Sequence, residues 1–474
     1  MKLPLMLLVS ALLAGCASYQ GIFPVLGRLS PVVTQAPFSD WPKEDWWKAQ
    51  HDAELSALIE SSLQDSPSLQ AASARLARVR AISGQAESAL WPQLNAGLSS
   101  THQRFTESGL IPPPYAGTLQ DMNDLQLSGV WELDFFGRNR ENLQAALGML
   151  RASEAEQQAA RILLASNVAR GYYNLARLLG QHEFAVQRLQ IRQDLATLVE
   201  RRFKAGLDSG VELEAAQVAV PEIARDIEAL NEQISLARHG LAVLSGKTPA
   251  ALDALAPILP PVATQPLPKA LPVNLLGHRA DVVAARYRVE SVTHLRESSK
   301  ALFYPNIDLR VFTGYSSIGF DHWLDNGSRQ PGAGLAVSLP IFDAGRLRNQ
   351  FWLSTADIDV AVAAYNGTLL DALREVADQL SALQSIERQL IEQDALLASA
   401  RHSHELALQR YHADLIDRLV VLNAETALLN QRRAALDLQG RWIDARLRLI
   451  QALGGGYIGQ TSITDTLSEN QHEH

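Results

Sequence analysis

A single cysteine, Cys16, stands in 474 residues, so no disulfide can form within the chain. Aromatic residues make up 6% and charged residues 20%, and the formal net charge is −9. Nucleic-acid binding needs a concentrated basic face, and that balance argues against one. Outside the extreme start, no apolar run approaches the roughly 20 residues of a membrane-spanning helix. The sequence contains no Gly-rich phosphate loop, no Cys/His cluster with metal-ligand spacing and no nucleophile–base motif. No cofactor, metal or catalytic residue is therefore expected, and the chain is not read as an enzyme.

What is present begins with the first sixteen residues. Lys2 supplies a positive n-region, Leu3 to Leu13 an apolar core, and Leu13-Ala14-Gly15-Cys16 reads as a lipobox. Residues 1–15 are then a lipoprotein signal, and Cys16 is the lipid acceptor. The alternative is a buried free cysteine behind an ordinary signal. Several acyl chains on one cysteine give stable anchoring. Ala17 follows the cysteine, without the aspartate that usually retains lipoproteins at the inner membrane. The expected location is the outer membrane, with the chain anchored through Cys16 and extending into the periplasm.

Prolines partition the rest. None occurs from Tyr115 to Val220 and none after Pro340, and both stretches are rich in Ala, Leu, Gln, Glu and Arg, as long helices are. Ile358, Val362, Tyr365, Leu369, Ala372, Val376, Leu380 and Leu383 follow at steps of three or four, the seam of a coiled-coil-like helix from Gly345 to about Arg410. Such a helix is about 100 Å long at about 1.5 Å per residue. Four other segments alternate with period two: Leu94 to Leu98, Leu125 to Phe135, Ile307 to Val311 and Leu335 to Leu339. They form two hairpins, with loops from Glu107 to Gln120 and from Gly319 to Gln330.

The halves repeat. Gly137-Arg138 and Gly345-Arg346 stand 208 residues apart, and the same offset aligns Val168-Ala169 with Val376-Ala377, Arg202-Phe203 with Arg410-Tyr411, and Gly246 with Gly454. The organisation expected is a lipid-anchored segment (16–66), a first repeat (67–246), a Pro-rich linker (247–272), a second repeat (273–456) and a polar tail (457–474). If the strands span a bilayer, their sheet must close, because hydrocarbon leaves no donor or acceptor a partner outside the protein. Four strands are too few for one chain. A dimer gives eight strands with a filled interior, and a trimer gives twelve with room for a lumen. The other reading is an ordinary soluble sheet with one solvated face.

Trp91-Pro92 and Tyr304-Pro305 before the first strand of each pair, and the Gly-Arg after each second strand, resemble the TolC-type outer-membrane efflux channels. The lipobox, Trp46-Trp47 followed by Leu55 and Leu58, Arg279-Ala280-Asp281 and Gly454-Gly455-Gly456-Tyr457 resemble the NodT-like lipoprotein branch. The resemblance runs from about Phe38 to Tyr457. It implies an α+β membrane protein: a homotrimer with one twelve-stranded β-barrel, four strands per chain, continued by a long periplasmic α-helical barrel. It also implies a periplasmic adaptor, an inner-membrane pump of the proton-driven resistance–nodulation–division type, and export of small molecules. An outlet for type I polypeptide secretion is the alternative within transport. A periplasmic coiled-coil lipoprotein is the alternative outside it, although that has no use for two matched hairpins.

The helix tips are the candidate sites. By resemblance, Arg202, Gly206, Leu207, Arg410 and Tyr411 are adaptor-docking positions, and the turn Asp414-Leu415-Ile416-Asp417 narrows the pore. Asp414 and Asp417 are expected to form carboxylate rings, with Leu415 as an apolar constriction. The competing reading makes both acids N-terminal caps of a helix starting at Leu415. His402 and His404, two apart, face different sides of a helix and are read as solvated. Pro221 is expected to kink the return helix.

Overall fold

The computed structural model describes residues 18–28, 42–262 and 278–457. Cys16, the signal, residues 29–41, the end of the Pro-rich linker from residue 263 and the tail from 458 lie outside the described residues. In chain order the elements are α1 (Ala53–Asp65), α2 (Pro67–Ser88), β1 (Gln93–Arg104), β2 (Leu119–Glu132), α3 (Arg138–Lys204), α4 (Gly210–Leu244), α5 (Ala280–Ala301), β3 (Asn306–Ile318), β4 (Gly332–Ser338), α6 (Arg346–His412) and α7 (Arg418–Ala452). The long helices α3 and α6 have 67 residues each, and the return helices α4 and α7 have 35 each. All four start and end at the offset of 208, from Arg138 and Arg346 to Leu244 and Ala452. No described helix is long and apolar enough to cross a membrane.

Two compact units result. One comprises residues 18–28, 75–154 and 284–366; the other comprises 42–74, 155–262, 278–283 and 367–457. The first holds the sheet, four antiparallel strands in the order β1-β2-β3-β4. Its register sorts the side chains, because directly paired residues share a face. Leu98, Leu125 and Tyr315 form one cross-strand row, Ala96, Leu127 and Thr313 the next, and Trp131, Leu309 and Leu335 another. The opposite face carries Asn95 with Ser128, Gly97 with Gln126, and Glu132 with Asp308. Leu94 and Leu335 are both 68% exposed, so the apolar face is left open within one chain. From Ile307 to Tyr315 that face runs about 27 Å along β3 at about 3.4 Å per residue, close to the roughly 25 Å belt of an outer-membrane barrel.

Strand β2 stops at Glu132, earlier than the alternation through Phe135 suggests. Leu133 N–H still donates to Ile307 O (2.8 Å), but Asp134 then turns away to accept from the N–H groups of Asn139 (3.1 Å) and Arg140 (2.9 Å). That carboxylate caps α3. Asp343 serves α6 in the same way, accepting from Leu347 N–H (2.8 Å). The Gly-Arg steps have a physical reason here: Gly137 (φ 81°) and Gly345 (φ 85°) make left-handed turns from strand to helix.

Residues 18–28 form an extended strap along α6. Arg348 Nη1 donates to Ser18 O (2.8 Å), Asp359 Oδ1 accepts from Val25 N–H (2.9 Å) and Leu26 N–H (2.8 Å), and Asn366 Nδ2 donates to Gly27 O (3.1 Å). Eighteen helical residues rise about 27 Å, the reach of nine extended ones. Tyr19 packs on Phe303 and Phe351, with ring centroids 5.4 and 5.5 Å away.

The second unit holds the larger core. Trp46, Trp47, Leu55 and Ile59 pack against Val168, Tyr172 and Leu175 of α3, Val376 and Leu383 of α6, and Trp442 of α7. Fully burying each large aliphatic side chain contributes about 1.5–3 kcal/mol. All eight residues of the seam from Ile358 to Leu383 are buried. Burial pushes the Tyr173 hydroxyl up to about 12, and the Tyr172 hydroxyl rises further, donating to Asp52 (3.2 Å) and Glu54 (3.1 Å).

The triple glycine ends α7 against other backbone. Gly454, Gly455 and Gly456 all have positive φ. A Cβ on Gly454 would overlap the His278 carbonyl, and one on Gly456 the Lys43–Glu44 peptide. Gly454→Ala is expected to cost more than about 3 kcal/mol, from left-handed strain plus overlap. Gly84→Ala, in α2 with open space around it, gains up to about 1 kcal/mol. Thermal unfolding followed by far-ultraviolet circular dichroism measures both.

Candidate functional site

Each long helix ends in the same turn. Leu207 N–H donates to Arg202 O (2.9 Å) and Gly206 N–H to Phe203 O (2.9 Å); at the second tip Leu415 N–H donates to Arg410 O (2.9 Å) and Asp414 N–H to Tyr411 O (3.0 Å). Both are Schellman motifs, in which the residue past the helix end is left-handed. Gly206 takes φ 70° at no steric cost, and Asp414 takes φ 55° in the equivalent place. Asparagine and aspartate tolerate this conformation better than other side chains. Leu207 and Leu415 follow, each 67% exposed, so each tip presents one leucine to its surroundings.

The charged groups around these turns differ. Arg202 makes a two-pronged contact with Asp208, Nε to Oδ2 (2.8 Å) and Nη2 to Oδ1 (3.1 Å), while its Nη1 hydrogen-bonds Asp417 Oδ2. One guanidinium thus ties the two tips together. The hydrogen bond from Arg202 holds the Asp208 carboxyl below the usual carboxylate range, and the same bond raises the Arg202 guanidinium. A lowered carboxyl favours the link above the ordinary value of about 4 and loses it as pH falls below that range. Ser209 caps α4 in a capping box, its backbone N–H donating to Glu212 Oε2 (2.9 Å).

Asp417 occupies the N-cap position of α7 but makes no side-chain cap bond. Helix α7 begins at Arg418 rather than Leu415, and the carboxylate goes to Arg202 instead of the helix N–H groups. The capping reading of Asp414 and Asp417 is therefore replaced by a turn residue and an ion-pair partner. Asp414 and Arg410 are exposed, Tyr411 is half-buried, and the Tyr411 ring lies 5.9 Å from that of His412. No metal-binding cluster forms among the described residues. Pro221 sits inside α4, which continues as one helix through it.

The residue that sequence reasoning missed is Asp208. Its signal was available: an arginine and an aspartate six apart across a left-handed glycine are brought back together by the turn. The Asp417 contact had no local signal, since it joins residues 215 apart. Elsewhere in the same unit, Arg279 is 8% exposed. Burial works against its charge, but Asp281 (3.0 and 2.6 Å) and Glu375 (2.8 Å) more than offset this, and the guanidinium is raised. It also donates to Ala452 O (3.1 Å), so the Arg279-Ala280-Asp281 motif fastens the end of α7.

The family described as "Outer membrane efflux protein" matches residues 58–247 and again residues 271–455. The chain belongs to the outer membrane efflux protein family. That double match covers both repeats. The multidrug resistance outer membrane protein MdtQ of Escherichia coli O6:H1 is 30% identical over 461 residues, covering 94% of this chain and 96% of that protein. The fusaric acid resistance protein FusA of Burkholderia cepacia is 34% identical over 364 residues, 74% of this chain and 69% of that one. Among solved structures, the outer membrane protein VceC of Vibrio cholerae has a TM-score of 0.79 and 36% identity, covering 88% of this chain and all of that one. The CmeC outer membrane channel of Campylobacter jejuni, with a TM-score of 0.83 at 20% identity, shares the fold. The α+β channel fold and the efflux role of this protein follow from the family.

Removing Arg202 frees both tips of their shared guanidinium. Arg202→Ala is expected to speed tryptic cleavage after Lys204 by about threefold or more, since local opening sets proteolytic access. Arg410→Ala, at the equivalent position without an acid six residues on, leaves that rate unchanged.

Proposed function

We propose that this efflux protein is the outer-membrane duct of a tripartite pump. Three copies close one twelve-stranded barrel, and their helices continue it through the periplasm to a mouth lined by the tips. A periplasmic adaptor docks there at Arg202, Gly206, Leu207, Arg410 and Tyr411, and an inner-membrane pump of the resistance–nodulation–division type supplies the energy. The chain itself performs no catalysis. The observation that carries this reading is the sheet: an apolar band on one face, a polar face behind it, and outer edges on β1 and β4 that have no partner strand among the described residues. The names of MdtQ and FusA concern drug and fusaric acid resistance, which favours small toxic molecules as cargo.

Lipid on Cys16 anchors the assembly. In support, the strap brings Ser18, two residues beyond it, to the start of α6 directly after the sheet. At the mouth, Asp414, Leu415 and Asp417 form the gate. Threefold repetition sets Asp414 in a carboxylate ring and Leu415 in an apolar one, while Arg202 holds Asp417 and keeps the tips together.

Reconstituted in planar bilayers, the lipoprotein is expected to conduct in discrete steps with a preference for cations. Alanine at both Asp414 and Asp417 should lower the cation-to-anion permeability ratio by about twofold or more, because fixed carboxylate rings set that preference. Conductance identical to the parent in both single variants and the double would remove the gate, and silent bilayers would remove the duct.

A further inference from the structure

The offset of 208 turns every contact between α3 and α7 into a template. Within one chain these helices meet closely: a Cβ on Gly180 would touch Leu436, and one on Gly440 would touch Arg177. Arg170 Nε lies 2.6 Å from Asp444 Oδ1, Arg177 Nη1 3.4 Å from Asp437, and Arg418 3.7 Å from Asp194. Ile191, Leu195, Leu422 and Leu429 form an apolar cluster between them. The same relation, moved by one repeat, sets α6 against α4. In one chain the corresponding faces are open: Val211 is 77% and Leu236 59% exposed on α4, and Leu396 53% on α6. Val211 and Leu406 are the counterparts of Leu419 and Leu198, which both pack on that apolar cluster.

We infer that α6 of one copy packs on α4 of the next, with Arg388 set against Glu228 and Glu232; this rests on the trimeric reading above. Positions 388 and 228 are the counterparts of Gly180 and Leu436, and 232 is that of Gly440. Arg388, Glu228 and Glu232 are all exposed within one chain, and their charges are complementary. The contact joins different faces of identical copies, so it repeats around a ring and closes it.

The two seams differ near the tips. Ile191, Leu195, Leu422 and Leu429 have as counterparts Ser399, Ser403, Glu214 and Pro221. The Arg202–Asp417 pair becomes Arg410 with Ser209, and Asp194–Arg418 becomes His402 with Gly210. The seam between copies thus lacks, at its tip end, the apolar cluster and the ion pairs that bolt the seam within a copy. It parts first, and Pro221 stands where a leucine closes the other seam.

Cys16 is the sole native cysteine and the proposed lipid acceptor, so paired cysteines report cleanly. Arg388→Cys with Glu228→Cys, oxidised in isolated outer membranes, is expected to give bands at two and three times the chain mass, absent from either single variant. Gly180→Cys with Leu436→Cys, the counterpart positions within one chain, should link at unchanged mass, since a Cβ on Gly180 already touches Leu436. Charge reversal is the second test: Arg388→Glu should lower the temperature at which the trimer dissociates on a gel, and Glu228→Arg with Glu232→Arg should restore it. A link at single-chain mass, a link to another protein, no link in membranes that hold the heat-modifiable trimer, or no restoration would overturn this seam. Absence of any trimer from the parent protein would instead overturn the proposed duct.

Discussion

A strand edge inside hydrocarbon has nowhere to place its hydrogen bonds, and the rest of this architecture answers to that constraint. The sheet presents an apolar band on one face, yet the outer edges of its first and last strands have no partner strand among the described residues. Water satisfies such a row at modest cost, whereas a bilayer core leaves each group several kcal/mol worse off. One chain supplies four strands, too few to curl into a cylinder with room inside. In the proposed trimer the edges of neighbouring copies complete the wall, and the permeation path belongs to the assembly rather than to any chain.

Duplication gives that assembly its second property. The repeats agree to the residue in helix length and to the hydrogen bond in their turns, including the glycine stops after α4 and α7, where Lys247 N–H reaches Ala242 O (2.8 Å) and Gly455 N–H reaches Ile450 O (2.9 Å). Agreement in backbone leaves divergence to the side chains. Arg202 has two carboxylates to hold; its counterpart Arg410 has Ile416 and Ser209 in the equivalent places. Glycine permits the first tip turn and aspartate the second. In the proposed assembly this gives two kinds of seam and two kinds of tip, the asymmetry that an opening mouth requires.

Much of this was legible in the sequence because it depends on period. The seam from Ile358 to Leu383 was visible as steps of three and four, the strands as alternation, and the repeat as one constant offset. The Gly-Arg steps, Trp46-Trp47 and Gly454 to Gly456 were visible as motifs before their reasons were: a left-handed entry to a helix, a core anchor, and a backbone crossing too close for any Cβ. What was not legible depends on contacts between distant segments. The end of β2 was misjudged because Asp134 continues the alternation while serving as a cap. The partner of Asp417 was invisible because Arg202 reaches it only once two tips, far apart in sequence, lie side by side.

The number of chains in the detergent-purified assembly tests the central claim most directly. Native mass spectrometry of the unheated protein should give three chains per particle, falling to one only when the barrel is unfolded by heat. A folded, detergent-solubilised single chain with its four-stranded sheet intact would contradict the account, because the open edges would then need no neighbour.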